Sequence, residues 1–346
     1  MSEPYFIEKG IKKLVAKHRN AFKGTESEFD DYVKSKLPKI IEELLQGIWD
    51  GLYDYSFDEN NDLRSHQKKI NESIEKNYGD AIKLVESFIE MNSQVSVSTY
   101  DTYLKIFDTF EDQLKLDTLI SLHVRACQIA NEIRVLVSNG YADGAMSRWR
   151  TLHELCVTFL FLYDNDTRIT EMYHDYHVIE RWKKAKEYQE NCSFLKMDKL
   201  SIEDIAFIES ERKDVLEEYG KEFGQSYGWT MNVLPKGRRN IREMEKLVGQ
   251  DHHRTVYTWA SENVHSGVSG INKRLGLRED EENYFLPFAN DYGFLDPIQY
   301  MTASLITISE TFLNMEDSIM SRIFKEFLYS LQKEVVLKFD ILEKDT

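Results

Sequence analysis

Residues 119–137, LISLHVRACQIANEIRVLV, and residues 145–163, AMSRWRTLHELCVTFLFLY, are joined by the short link SNGYADG at 138–144. Each stretch is far longer than an ordinary strand, holds no proline, and is apolar on nearly every side, which describes an α-helix covered by other helices. The Asn-Gly and Asp-Gly steps punctuate the link, and so short a connection makes the two helices antiparallel neighbours. The expected fold is therefore all-α, a multi-helix bundle around a buried antiparallel hairpin at about 118–163.

The flanking sequence repeats the helical signal. Upstream, 26–52 and 63–92 carry apolar residues three and four apart, with Pro38 placed to end or kink the first of these helices. Between them and the hairpin, SQVSVSTYDTY at 93–103 is β-branched and serine-rich and reads as a linker, which divides the chain into an N-terminal helical region, 1–100, and a main bundle, 101–346. Downstream, helices are expected over 167–191 and over 201–219, the latter started by Ser201 and stopped by Gly220, and a third over 251–265. The last helices, about 296–341, offer Met301, Leu305, Ile308, Phe312, Met315, Ile319, Phe324, Phe327 and Leu331 to close the bundle over the hairpin.

Composition narrows the function classes. Sixty acidic against 44 basic residues give a formal charge of −16, which argues against a general phosphate-neutralising surface but leaves room for a local basic cleft, and PKGRRNIREMEKL at 235–247 is the one distinctly basic stretch. Three scattered cysteines, Cys127, Cys156 and Cys192, form neither a disulfide framework nor a zinc knuckle and fit a reducing cytoplasm. With no run of eighteen apolar residues and no apolar leader segment, a cytoplasmic location without membrane insertion is expected. No phosphate-binding loop, dinucleotide fingerprint or nucleophile elbow occurs, and no cofactor is implied.

The hairpin nonetheless carries charges. Taking the turn as centred near Tyr141 sets Glu132 opposite Arg150, Arg134 opposite Arg148 and Gln128 opposite Glu154. Charges in an apolar layer must be paired, because an isolated buried ion costs several kcal/mol even after relaxation. Two readings follow. In one, Glu132 and Arg150 form a lock that fixes helix register; in the other, Arg148, Arg150, His153 and Glu154 line a cleft for a phosphate- or carboxylate-bearing ligand, since two arginines within one turn suit bidentate anion contacts.

Histidine spacing adds two further possibilities. Glu171/His174 and Glu262/His265 are E-x-x-H pairs, the kind used with two more glutamates, here Glu132 and Glu154, in carboxylate-bridged metal bundles; with nine histidines in an acidic chain such pairs arise readily by chance, and no metal ligand is assigned. Arg148, four residues, then His153, and Arg168, five residues, then His174, both resemble the Arg–x4–6–His spacing of the helical ribonucleases named for higher eukaryotes and prokaryotes nucleotide-binding (HEPN), and the first stands out by its place on a buried helix. That resemblance implies proton transfer by His153 at a ribose hydroxyl with Arg148 opposite the developing phosphorane charge, in a bacterial defence or toxin protein acting on RNA or a nucleotide. His265 ends its helix, where interaction with the last carbonyls is the ordinary role, and His177 could face the hairpin.

Four stretches in order, ANEIRVLVSNGYADGAMSRWRTLHEL, YHDYHVIERWKKAKEYQE, EEYGKEFGQSYGWT and TVYTWASENVHSG, resemble a bacterial family known as domain of unknown function 5677, over roughly 118–276. The resemblance implies that Arg150, His153 and Glu154, with Tyr227 to Trp229 and His265, belong to one shared feature, and implies no activity. Taken together, the expectation is a polar internal cleft around Glu132, Arg150, His153 and Glu154, completed by His177, Trp229 and His265. Against the enzyme stands a non-catalytic sensor or scaffold whose acidic surface meets protein partners.

Overall fold

A computed structural model describes residues 6–57, 62–104, 109–265, 268, 270, 274–277, 288–315 and 318–344. Among the described residues the regular structure is helical, without a β-strand. The chain forms two compact units, Met1–Lys69 and Ile70–Thr346.

In the first unit, α1 (Phe6–Ala21) and α2 (Glu26–Phe57) are joined by a tight turn. Thr25 starts α2 by a reciprocal arrangement: its hydroxyl accepts from the Glu28 amide at 3.4 Å, and the Glu28 carboxylate accepts from the Thr25 amide at 2.8 Å. Phe22 packs on Phe29 and Tyr32, with ring centroids 5.6 and 5.1 Å away. Pro38 does not end α2, which runs through it as one helix.

The helix α3 (Asp62–Tyr103) continues through 93–103, which is therefore no linker. Val95, Ser96 and Tyr103 are buried, so packing overrides the weak helix propensity of this β-branched stretch. The Tyr103 hydroxyl donates to the Phe312 carbonyl, tying the end of α3 into the core.

The hairpin is α4 (Phe110–Ser138) and α5 (Ala142–Asp164). Its turn is tighter than the sequence suggested, because Ala142, Asp143 and Gly144 already belong to α5. Gly140 adopts φ +83°, its amide bonds to Val137 O at 3.0 Å, and the Tyr141 amide reaches back to Leu136 O at 2.9 Å. This is the Schellman ending of a helix, with glycine at the left-handed position. A Cβ there would also lie 2.5 Å from the carbonyl oxygen of Asn290, whose own amide bonds back to Gly140 O at 3.0 Å.

Around the hairpin pack α6 (Thr167–Asn191), α7 (Ile202–Tyr219), the short α8 (Ile241–Leu247), α9 (Arg254–Val264), α10 (Leu295–Met315) and α11 (Ile319–Lys344). The expected caps hold: Ser201 accepts from the Asp204 amide, and Gly220 ends α7 at φ +89°. Trp149, fully buried, donates to Ser304 of α10 at 3.1 Å, and Phe159 packs on Phe312. A second buried polar tie crosses three helices, where His123 of α4 bridges Ser96 of α3 and Ser309 of α10, each at 2.9 Å.

Two expectations about burial need correction. α4 keeps an open edge along Val124, Gln128 and Val135, so the hairpin is not covered all round. In α11 the buried side chains are Ser321, Leu328, Val335 and Phe339, while Ile319 and Phe327 face away from the core they were expected to close. Helical rotation decides this: the buried set repeats at seven and four residues on one face, leaving 319 and 327 on the far side.

Candidate functional site

The centre of the arrangement is α5. Arg150, His153 and Glu154 fall three and four residues apart and share one helix flank. Arg148 precedes His153 by five residues, about 140° around the helix, and so leaves on a different side. It pairs with Glu132 of α4, which Arg125 also approaches at 3.6 Å. The expected Glu132–Arg150 contact is thus replaced by Glu132–Arg148, because the turn is centred on Gly140 rather than Tyr141. Arg134 pairs with Glu86 at 3.0 Å instead of facing Arg148, and Gln128 stays exposed instead of meeting Glu154.

Arg150 donates to Glu154 within its own helix at 3.1 Å. The same carboxylate oxygen accepts from the Tyr257 hydroxyl of α9 at 2.5 Å. The Tyr257 ring has two guanidinium neighbours, with Arg150 Cζ 4.9 Å and Arg254 Cζ 4.7 Å from its centroid. Burial first, and then the Glu154 carboxylate, push the Tyr257 phenol up to about 12, so it remains a donor. Arg150 also meets His265, Nη1 to Nε2 at 3.1 Å. Arginine only donates, so His265 accepts through Nε2 in this contact. His265 caps α9, its amide bonded to Ser261 O, as its position at the helix end suggested.

Beneath this layer lies a fully buried pair. His153 Nε2 is 3.0 Å from Glu245 Oε1, and neither side chain has solvent exposure. Arg254 closes on the other carboxylate oxygen at 3.2 Å. Burial raises the Glu245 pKa, but the His153 hydrogen bond and the Arg254 charge outweigh it, leaving the carboxyl below its ordinary value. A carboxylate only accepts, so His153 donates through Nε2; its Nδ1 is buried and has no hydrogen-bond partner among the described residues. The ring is flanked by Trp149, His253 and Tyr257 at centroid distances of 5.3, 5.7 and 5.7 Å. Burial, followed by the neighbouring His252 and His153, lowers the His253 pKa to about 4, so that ring stays neutral.

Glu245, Arg254 and Tyr257 were not singled out in the sequence, although a signal for Glu245 exists. Asn240 caps α8 by accepting from the Glu243 amide, and the inward stripe of that helix is Ile241, Met244, Glu245 and Val248. A carboxylate on an apolar helical stripe implies a buried cationic or donor partner.

The remaining candidates lie elsewhere. His177 is exposed and its Nδ1 bonds to the His174 carbonyl of its own helix at 2.7 Å, while His174 meets Thr118 Oγ1 at 2.7 Å. Trp229 is buried edge-on against Phe161 and Tyr173 and holds α5 to α6. Tyr227, left-handed at φ 53°, is nearer the network: burial, then the Glu154 charge, raise its pKa. Glu171 is bound to Arg168 at 2.7 Å, and among the described residues no three His, Cys, Asp or Glu side chains converge as a metal cluster. A groove of about 410 Å³ between α6 and α7, lined by Trp182, Lys186, Gln189 and Ile208, contains none of the network residues.

These observations define an all-α bundle with a histidine–carboxylate–arginine network at the junction of α5, α8 and α9. Within that class, residues 116–284 match the model of a family described as Family of unknown function (DUF5677), so the resemblance seen over 118–276 holds. No curated protein and no solved structure matches the chain. Among the described residues no helix is long and apolar enough to cross a membrane.

Proposed function

We propose that the matched domain is an acid–base enzyme acting on a phosphate-bearing ligand, RNA or a nucleotide, with His153 as the proton-transfer group. One observation carries this reading: Glu245 fixes His153 through Nε2 while Nδ1 has no partner among the described residues. A carboxylate that orients an imidazole and stabilises its protonated form is the arrangement a general base requires. Arg150 and Arg254 supply the positive charge for the anion, in the role the HEPN-like spacing gave to Arg148. Glu154 and Tyr257 hold Arg150 in place. Ligand entry then requires residues 251–265, which carry His253, Tyr257 and His265, to shift away from α5.

The test is expression of the full chain beside His153→Ala in bacteria, following growth and total RNA, together with incubation of the purified proteins with single-stranded RNA in the presence of a chelator. RNA loss and slowed growth with the unaltered chain only, both proteins being folded, support the enzyme. Intact RNA and equal growth overturn it.

The complete burial of His153 and Glu245 favours a second reading, a non-catalytic sensor or scaffold in which the network locks α5 to α8 and α9. On that reading His153→Ala lowers thermal stability and leaves RNA untouched.

A further inference from the structure

The C-terminal helix α11 presents two faces. Leu328, Val335 and Phe339 enter the core. About 140° around the helix runs a second line, Met320, Ile323, Phe327, Ser330, Glu334, Leu337 and Ile341, spaced alternately three and four residues apart. Its apolar members are open to solvent, with Met320 74%, Ile323 60% and Phe327 50% exposed. Single exposed apolar residues are ordinary, but five of them on one line with the heptad spacing of a helix-pairing seam, interrupted by Ser330 and Glu334, are not. The stripe lies outside the residues that match the family model.

We propose that this stripe pairs two copies of the chain through α11, antiparallel, about a two-fold axis that passes beside Leu328 and Tyr329. The flanking charges select this occupant and this direction. In the antiparallel register Glu326 of each copy meets Lys333 of the other, so two opposite-charge pairs form, and Phe324 lies beside Leu331. A parallel pair in the same heptad register would bring Lys333 against Lys338, a like-charge contact. The antiparallel seam is also sterically matched. Phe327 of one copy faces Ser330 of the other, the large ring against the small side chain, and Met320 faces Leu337. Glu334 opposite Ile323 is the weak layer; its methylenes cover the isoleucine while the carboxylate leaves at the edge. An isologous contact of this kind closes on itself and gives a dimer rather than a filament.

Sedimentation equilibrium of the full chain tests the arrangement. A dimer is expected at micromolar concentration, and Phe327→Glu weakens it at least about tenfold, as removal of a central apolar anchor does. Glu326→Lys alone weakens it by about threefold or more, while Glu326→Lys combined with Lys333→Glu restores it, because the swapped charges again meet their opposites across the axis. Glu334→Leu tightens it. Unchanged circular dichroism in each variant excludes unfolding as the cause. A chain that is monomeric at about 100 µM overturns the proposal, because a seam of this size would then be too weak to matter. A dimer indifferent to Phe327→Glu, or one not rescued by the double charge swap, overturns it as well, and a different protein as the occupant of the stripe is the reading then left.

Discussion

His153 and Glu245 stand ninety-two residues apart in sequence and 3.0 Å apart in space, with both side chains closed to solvent. The pair ties α5 to α8 across the interior. Removing Glu245 leaves the His153 Nε2 proton buried without an acceptor and strips Arg254 of its buried anchor. Leaving a buried donor without its acceptor costs about 1–3 kcal/mol, since the group stays desolvated without compensation. Glu245→Ala is therefore expected to lower unfolding stability by about that amount in urea titration, and Glu245→Ala in a His153→Leu background by clearly less. Equal losses in the two backgrounds would show that the pair is not coupled.

Arg148 and Arg150 sit two residues apart and carry opposite expectations. Arg148 meets Glu132 at the partly exposed edge of α4 and α5. Exposed or half-exposed pairs contribute about 0–1 kcal/mol. Arg150, by contrast, holds Glu154, lies over the Tyr257 ring and contacts His265. Arg148→Ala should shift the unfolding free energy by less than about 1 kcal/mol and leave any RNA-cleaving activity intact. Arg150→Ala should reduce both. A ribonuclease activity lost with Arg148→Ala and kept with Arg150→Ala would return the arginine role to the HEPN-like spacing.

The contrast between these two arginines shows what the sequence could and could not resolve. The bounds of α6 and α7 and the caps of α7 were legible because periodicity and the residues at Ser201 and Gly220 act locally. The hairpin was legible for the same reason. Its register was not, since Asn139-Gly140 and Asp143-Gly144 both read as turns, and moving the centre from Tyr141 to Gly140 exchanges Arg150 for Arg148 opposite Glu132. Glu245, Arg254 and Tyr257 reach His153 only through tertiary packing. The stretch at 93–103 failed differently: its composition is poor for a helix, and burial of Val95 and Tyr103 supplies what local propensity lacks.

Gly140 can be tested directly. Its φ of +83° disfavours any side chain, and an added Cβ would stand 2.5 Å from Asn290 O and 2.9 Å from Ala289 Cβ. Both effects act together in Gly140→Ala, because the backbone strain remains even if the 289–290 segment gives way. A loss of at least about 1–3 kcal/mol is expected by chemical denaturation. Gly144→Ala, with nothing among the described residues nearer than 3.6 Å and a place in the first turns of α5, is expected to be neutral or slightly stabilising.

His123 makes stability depend on pH in a definite direction. Burial between Ser96 and Ser309 lowers its pKa to about 4 in the folded chain, against about 6.5 when unfolded. As pH falls below about 6.5 the unfolded chain takes up this proton first, so stability is fully present above that value and declines toward pH 4. The shift corresponds to a loss on the order of 3 kcal/mol by the bottom of that window. Neither serine can offset a positive charge, and the nearby Cys127 thiol, 4.0 Å away and itself pushed up to about 12 by burial, stays neutral. Replacing His123 by Asn removes the titrating group while keeping polar atoms for the serines. The variant should be less stable near neutral pH, yet lose less between about pH 7 and about pH 4.5 than the unaltered chain in paired urea titrations. Parallel pH profiles for the two proteins would assign the acid sensitivity to groups other than His123.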